Sequence, residues 1–284
     1  MKKELLFNLI SKCDSNIKQG GLRCSGYFKE NKENEPLITI ITTIKNGDFF
    51  FEEALKSLRE QKYQNFEHIV IDGNSTDQTL EIIKKNEKHI DYWVSLDDKG
   101  IYDGFNLGMR LARGKYLGFL NSDDKFTPNA LFTLIKYINK YPQLDFIFGS
   151  VKKHWGILYG YKPWKIRWSW GFYSSHSTGF FIKTKSAQEN GFYNLRYKYS
   201  ADYDYFYRMI VKNKMKGIGT NKEELFGHFR RGGFSSKVNF MDHFFEEIKI
   251  RIDNGQNLLL ILLIFVYKYI KNFNKIRQSF YKKK

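Results

Sequence analysis

Two cysteines and four prolines are few for a chain of 284 residues, and its 22 glycines follow no repeat. Cys13 and Cys24 make neither a disulfide framework nor a zinc-ligand spacing, which excludes small stapled modules and fits a reducing cytoplasm. So little proline and glycine excludes a collagenous or linker-like chain. Met1 to Ile10 holds no long apolar stretch ending in a small-residue cleavage site, so no secretory signal is expected. The apolar run Leu258 to Tyr267 is ten residues, about half of the ~20 that cross a bilayer. No G-x-G-x-x-G follows the first predicted strand and no Walker lysine loop occurs, which disfavours dinucleotide-binding and P-loop enzymes.

Acid is also scarce, but only in one half. Net charge is +17, and residues 151–284 carry 26 basic against 9 acidic side chains, whereas residues 36–150 are close to balanced. Such a half could neutralise nucleic-acid phosphates, or rest on an anionic membrane and handle phosphorylated substrates. The last segment favours the membrane surface: after the apolar run, residues 268–284 hold seven basic side chains and no acidic one. That pattern suits an interfacial anchor, or a helix packed on the main domain, better than a spanning helix.

With 42% hydrophobic and 18% aromatic residues the chain can bury a large core. Residues 1–35 read as a leader or surface helix. From Pro36 strands and helices alternate. Leu37–Thr43 is β-branched and apolar, as a buried parallel strand is; Phe51, Ala54, Leu55 and Leu58 fall at helical spacing. Phe66–Ile71, Tyr92–Ser95, Tyr116–Leu120 and Asp145–Gly149 read as further strands. Capping-box spacing at Ser75-Thr76-Asp77-Gln78, and Thr127 ahead of Pro128, predict helix starts. The expected fold is α/β, a mostly parallel sheet with helices on both faces, followed by a C-terminal helical, basic extension.

In an open parallel sheet, ligands bind beyond the carboxyl ends of the strands. Here those ends are polar: Thr43 to Asn46, Asp72 to Ser75, Asp97 to Gly100, and Asn121 to Asp124. Several carboxylates in one crevice need a cation or hydrogen-bond donors, and Mg²⁺ or Mn²⁺ is the expected counter-charge. Asp77 is expected only to cap its helix.

Four stretches in this order, LITIITTIKN (37–46), IDGNSTDQT (71–79), DKGIYDGFNLG (98–108) and GKYLGFLNSDD (114–124), resemble the family 2 glycosyltransferases. These are inverting enzymes of GT-A fold that use nucleotide-sugar donors. The resemblance resumes in HSTGFF (176–181), ADYDYFYR (201–208) and RRGGFSS (230–236), and looks closest to bacterial members that build surface polysaccharides. It implies that Thr43 and Asp72 hold the nucleotide base and that Asp98, Lys99 and Asp103 line the donor pocket, together with Asn46, Asn74, Asn121 and Ser122. The family's D-x-D becomes Asn121-Ser122-Asp123, with Asp123 at the metal position, and its Glu-Asp pair becomes Ala201-Asp202, with Asp202 as catalytic base. Arg230 and Arg231 are expected at the diphosphate or a lipid-diphosphate acceptor, and His176 and His228 at the acceptor or metal. Asp204 reads as a solvated helix residue. The aromatic band Trp155 to Tyr173 reads as a sugar-stacking platform or as core and membrane-edge packing.

The implied division is 1–35 leader, 36–150 nucleotide-sugar half, 151–255 acceptor half with the base, and 256–284 a membrane-surface segment. The expected partners are a nucleotide-sugar donor and a glycan or lipid-linked acceptor, with no nucleic acid. The expected location is cytoplasmic, peripheral on the membrane's inner face. A basic nucleic-acid-binding protein, a sugar-nucleotide pyrophosphorylase and a non-catalytic relative stand as alternatives.

Overall fold

The structure, a computed structural model, describes residues 18–168, 177–230, 239–273 and 277. Cys13, His176, Arg231, Gly232, Gly233 and most of the basic tail lie outside the described residues.

Eight strands form the main sheet: β1 (Lys18–Gly20), β2 (Ile38–Ile44), β3 (Phe66–Asp72), β4 (Tyr92–Ser95), β5 (Tyr116–Phe119), β7 (Phe146–Phe148), β10 (Phe180–Lys183) and β11 (Gly217–Gly219), in the order β1-β4-β3-β2-β5-β10-β7-β11. The four central strands β4, β3, β2 and β5 are mutually parallel, so their carboxyl ends share one edge of the sheet. β1 and β10 run antiparallel to their neighbours. A smaller sheet joins β6 (Lys125–Phe126), β12 (Leu225–His228), β8 (Ser150–Lys153) and β9 (Gly156–Leu158).

The period-2 alternation of the strands divides the core. Ile38, Ile40 and Ile44 of β2 and Val70 of β3 meet α1 (Asp48–Arg59) and α4 (Ala130–Lys140) on one face. Ile41 of β2 and Leu117 and Phe119 of β5 turn the other way, toward α3 (Ile101–Leu111) and the later aromatic helices. Phe51, Ala54, Leu55 and Leu58 are the buried stripe of α1, as their spacing predicts. α3 lies unusually close to β2 because Gly104 and Gly108 are one turn apart on its inner face. A Cβ would stand 2.6 Å from Thr43 Cγ2 at Gly104 and 2.3 Å from Ile41 Cγ2 at Gly108.

Three local expectations change. Within residues 18–35 the chain forms the edge strand β1 and a 3-10 turn, Leu22–Ser25, where a surface helix was expected. Ser75, first residue of the capping-box spacing, turns to Asp72 and does not cap α2 (Thr79–Lys85), whereas Asp77 does so as expected of it, its Oδ1 accepting the Thr79 N–H at 3.0 Å. The Thr127 hydroxyl donates to Leu225 O, and α4 begins only at Ala130.

Downstream, α5 (Lys165–Trp168) and α6 (Thr184–Asn190) are short. α7 (Ala201–Tyr207) continues as a π-helix over Arg208–Lys212. α8 (Phe240–Asp253) and α9 (Leu258–Lys271) form the C-terminal pair, joined by ring stacking of Phe244 on Phe265 at 5.2 Å and by the Lys268–Glu247 ion pair. In the aromatic band, Trp155, Tyr159, Trp164 and Trp168 are all more than half exposed, so these four do not serve as core.

Candidate active site

The ends of β2, β3 and β4 form one wall. Asp72 closes β3 and is fully buried. The Ser75 N–H donates to its Oδ2 at 3.1 Å, the Ser95 hydroxyl to the same oxygen at 2.6 Å, and the Ser75 hydroxyl to Oδ1. The carboxylate thereby ties the turn after β3 to β4. Asn46 (φ 50°) and Asn74 (φ 57°) take the left-handed conformation that asparagine tolerates, and each reverses the chain just past a strand. The Asn46 N–H donates to Ser75 Oγ, and its Oδ1 accepts the Thr76 N–H, both at 2.8 Å. Asn74 Nδ2 donates to Asp97 Oδ1 at 3.2 Å. Thr43 is 7% exposed, and its hydroxyl has no hydrogen-bond partner among the described residues.

Asp98 lies over this wall. A Cβ on Gly73 would stand 2.9 Å from its Oδ2, so glycine there lets the two loops touch. The Gly100 N–H donates to Asp98 Oδ1 at 3.0 Å, and the N–H of exposed Lys99 donates to Asp103 Oδ2 at 3.1 Å. Burial pushes the Asp98 carboxyl above the usual range. Asp103 and Asp72 push the same way, against the Gly100 N–H and Lys45. A cavity of about 280 Å³ opens beside Asp98 and Asp103, walled by Ile71, Leu96, Leu107 and Arg110.

The end of β5 forms the second wall. Asn121 Nδ2 donates to Asp124 Oδ2 at 3.2 Å and to Ser177 Oγ at 2.9 Å, while Asn121 Oδ1 is buried without a partner among the described residues. Asp124 is 2% exposed and also accepts the Thr178 hydroxyl (2.6 Å) and the Arg230 N–H (3.0 Å). Ser122 sits against the loop after β2, 3.2 Å from where a Gly47 Cβ would be. Half-buried Asp123 accepts Arg230 Nε at its main-chain oxygen, 3.1 Å away.

Asp202, the second residue of α7, completes the site. Tyr102 of α3 places its hydroxyl 3.3 Å from Asp202 Oδ1, so the 98–108 stretch and the 201–208 stretch touch. Lys153 of β8 stands over the Phe229 ring at 4.4 Å. Burial draws the Lys153 ammonium below its ordinary value, and the carboxylates of Asp124 and Asp202 oppose that shift. Lys153 therefore lies within electrostatic reach of both the β5 end and α7.

The family model for glycosyl transferase family 2 matches residues 39–206, which span every one of these walls. The chain belongs to glycosyl transferase family 2. An uncharacterized glycosyltransferase of Mycobacterium tuberculosis is 28% identical over 229 residues, 70% of this chain and 83% of that protein. A PGL/p-HBAD biosynthesis glycosyltransferase of Mycobacterium bovis is 28% identical over 182 residues, 60% of this chain and 68% of that one. Among solved structures, S. aureus TarS 1–349 in complex with UDP-GlcNAc has a TM-score of 0.64 at 18% identity, covering 82% of this chain and 72% of TarS. The mannosyltransferase PcManGT of Pyrobaculum calidifontis, in complex with GDP-Man and Mn²⁺, has a TM-score of 0.62 at 16% identity, covering 98% and 80%. The GT-A fold expected from the family resemblance is therefore the fold of this transferase.

Within the transferase, hydrogen-bond donors meet much of the negative charge at the strand ends. Asp72, Asp97, Asp98 and Asp124 each accept hydroxyl, side-chain amide or main-chain N–H donors. Among the described residues no three His, Cys, Asp or Glu side chains converge as a metal cluster. Mg²⁺ needs only one or two carboxylates beside water and phosphate oxygens. The half-buried Asp123 carboxylate and the unpartnered Asn121 Oδ1 are hard oxygen donors that fit such an ion. Arg230 reaches the β5 end, but its guanidinium donates to Glu53 Oε2 at 2.6 Å and stacks 3.8 Å over Phe50, so it is engaged by α1. His228 lies in the small sheet, paired with Lys125 and Lys152, and burial followed by those two cations depresses its basicity. Asp204 is 2% exposed and paired with Arg208 Nε at 2.9 Å, not solvated. Tyr102, Lys153, Ser177 and Thr178 were not singled out from sequence. Of these, Tyr102 lies inside the 98–108 motif and Ser177 and Thr178 inside the 176–181 stretch, whereas Lys153 carried no signal.

Proposed function

We propose that this family 2 transferase moves a sugar from a nucleoside-diphosphate sugar to an acceptor hydroxyl in one in-line displacement, with inversion at the anomeric carbon. The observation that carries this reading is the contact of Tyr102 with Asp202, which brings the donor-side loop and the candidate base to one place. Thr43, Asn46, Asp72, Asn74, Asp98, Lys99 and Asp103 form the donor side, with Asp72 holding the loops in shape and Asp98 nearest the cavity. Asp202 takes the proton of the attacking hydroxyl, which requires it to be within hydrogen-bond reach of that group. Asp123 and Asn121 would hold Mg²⁺ or Mn²⁺. When bound, such an ion offsets the negative charge that develops on the departing diphosphate. Lys153 supplies a second positive charge on that side.

The nucleotide sugars in TarS and PcManGT, and the Mn²⁺ in the latter, support the donor class and the metal. For the acceptor we propose a glycan or lipid-linked glycan of surface polysaccharide biosynthesis, reached from the membrane. The support is α9: Leu258, Leu259, Leu262, Leu263 and Ile270 are each more than half exposed, and no acidic residue follows Asp253. No helix among the described residues is long and apolar enough to cross a membrane. The 14 residues of α9 span about 21 Å against a hydrocarbon core of about 30 Å, so the helix is suited to lie on the surface.

A panel of UDP-, GDP- and dTDP-sugars with Mg²⁺ or Mn²⁺, read by release of nucleoside diphosphate, tests the reaction. Asp202→Asn is expected to bind the selected donor in calorimetry and lose transfer, and Asp123→Asn to lose the metal-stimulated part of release. Transfer at the wild-type rate by Asp202→Asn would remove the base from the reading.

A further inference from the structure

The segment leading into α7 is fixed by a residue far along the chain. Glu246 of α8 accepts three successive main-chain N–H groups: Lys198 donates to Oε1 at 2.6 Å, and Tyr199 and Ser200 donate to Oε2 at 2.7 and 2.6 Å. Successive N–H groups converging on one point make an anion-binding nest, and here the anion is the protein's own carboxylate. Bonds to an ionised acceptor are about twice as strong as neutral ones, so three of them hold this stretch firmly. One turn back on α8, His243 Nδ1 lies 3.0 Å from Ser200 Oγ. From the opposite side Tyr102 Oη stands 3.2 Å from the Tyr199 carbonyl oxygen. The chain is therefore gripped from both flanks immediately before Asp202. Ser200 caps α7 by position only, since its side chain makes no cap bond. Within the helix the Asp202 carboxylate accepts the Tyr203 N–H at 2.8 Å, so its place follows that of the main chain at the start of α7.

We propose that Glu246 is a positioning residue for sugar transfer, its carboxylate fixing the main chain of Lys198–Ser200 and through it the place of the Asp202 side chain. The proposal rests on the reading of Asp202 as the base. Glu246 touches no reacting atom in this account. Its contribution is geometric, and geometry at a reacting centre is steep: a displacement near 1 Å can cost about 100-fold in rate. Donor binding is made by the strand ends and α3, which Glu246 does not contact, so the loss should fall on kcat and not on the donor's KM.

The test uses the full chain and the donor that the wild-type protein selects from UDP-, GDP- and dTDP-sugars, with turnover read as nucleoside diphosphate released. Glu246→Ala is expected to lower kcat by roughly 10- to 100-fold with donor KM changed less than about twofold. Glu246→Gln keeps one acceptor oxygen and should fall between that variant and wild type, so it carries the test should the alanine variant fail to fold. Glu247→Gln is the control: Glu247 pairs with Lys268 of α9, so its loss should lower Tm and leave kcat unchanged. Wild-type kcat in both Glu246 variants would overturn the proposal. So would a fall in kcat matched by equal losses of donor affinity and Tm. Asp202→Asn, run alongside, separates the two levels. If it is inactive while Glu246→Ala is fully active, the positioning role alone fails. If it transfers normally, or if wild type turns over no donor, the functional reading fails and the proposal with it.

Discussion

Tyr102 Oη stands 3.3 Å from Asp202 Oδ1 while its ring stacks on Tyr193 at 5.5 Å, so one side chain both packs and touches the candidate base. Tyr102→Phe separates the two roles, because the ring remains and only the hydroxyl is lost. A single hydrogen bond to a carboxylate contributes about 1–2 kcal/mol net, which predicts a 5- to 30-fold fall in kcat with donor affinity and Tm little changed. Steady-state kinetics beside donor calorimetry checks this, and an unaltered kcat would detach Tyr102 from the chemistry.

Gly108 makes a second prediction, where two effects oppose. Alanine is ordinarily better than glycine inside a helix by about 0.5–1 kcal/mol. At Gly108 the new Cβ would stand 2.3 Å from Cγ2 of Ile41, a fully buried residue of the central strand. Overpacking of this kind costs about 1–3 kcal/mol, which exceeds the propensity gain. Gly108→Ala is therefore expected to lower the free energy of unfolding, read from guanidinium denaturation, by a net of roughly 1–2 kcal/mol. A stabilised variant would show that α3 can ride up off β2 without penalty.

The parts of this fold legible in the sequence are those whose cause is local. β2 announces itself through a β-branched apolar run, β3 to β5 through short apolar and aromatic stretches, and α1 through Phe51, Ala54, Leu55 and Leu58 at helical spacing. The acidic strand ends were equally plain, but not their partners. Asp72 is satisfied by Ser95, which is remote in the chain and reaches it only because β3 and β4 pair in register. Asp204 was misread for the same reason: Arg208 is one turn away, but Asn254, which donates to its Oδ1 at 2.9 Å, comes from the end of α8. Lys153 sits in no motif. Its place within reach of the β5 end and α7 follows from pairing of β8 with β12, which carries the chain to Phe229 and Arg230. Thr127 misled because its hydroxyl found a tertiary carbonyl, Leu225 O, in place of the helix it precedes.

His68 predicts an acid-sensitive core. Its ring is buried in β3 with Nε2 2.9 Å from Thr42 Oγ1, and burial, aided by Lys29, lowers its pKa from 6.5 to about 3. The unfolded chain then binds a proton below pH 6.5 that the folded protein refuses, so stability is full above that pH and falls as pH drops toward 3. Between pH 7 and 4.5 the cost is about 2–3 kcal/mol for a group so buried. His68→Gln cannot titrate, and guanidinium unfolding at the two pH values should show the variant losing that much less than wild type. Equal losses would mean that the folded protein admits the imidazolium.

The exposed side of α9 makes the last prediction. Ile261, Ile264 and Lys268 turn inward on α8, leaving Leu259 73% and Leu263 65% exposed, one turn apart. Each leucine buried in lipid contributes about 1.5–3 kcal/mol, and the basic residues after Tyr267 add attraction to anionic headgroups that salt screens. The protein should therefore sediment with phosphatidylglycerol vesicles, less with phosphatidylcholine, and less again as salt is raised. Leu259→Glu with Leu263→Glu removes two apolar contacts and adds two repelled charges, so vesicle binding should fall by at least about 100-fold with Tm unchanged. A wild-type protein that ignores vesicles and instead dimerises through α9, with the double variant monomeric, would show that a second copy, not lipid, covers these leucines.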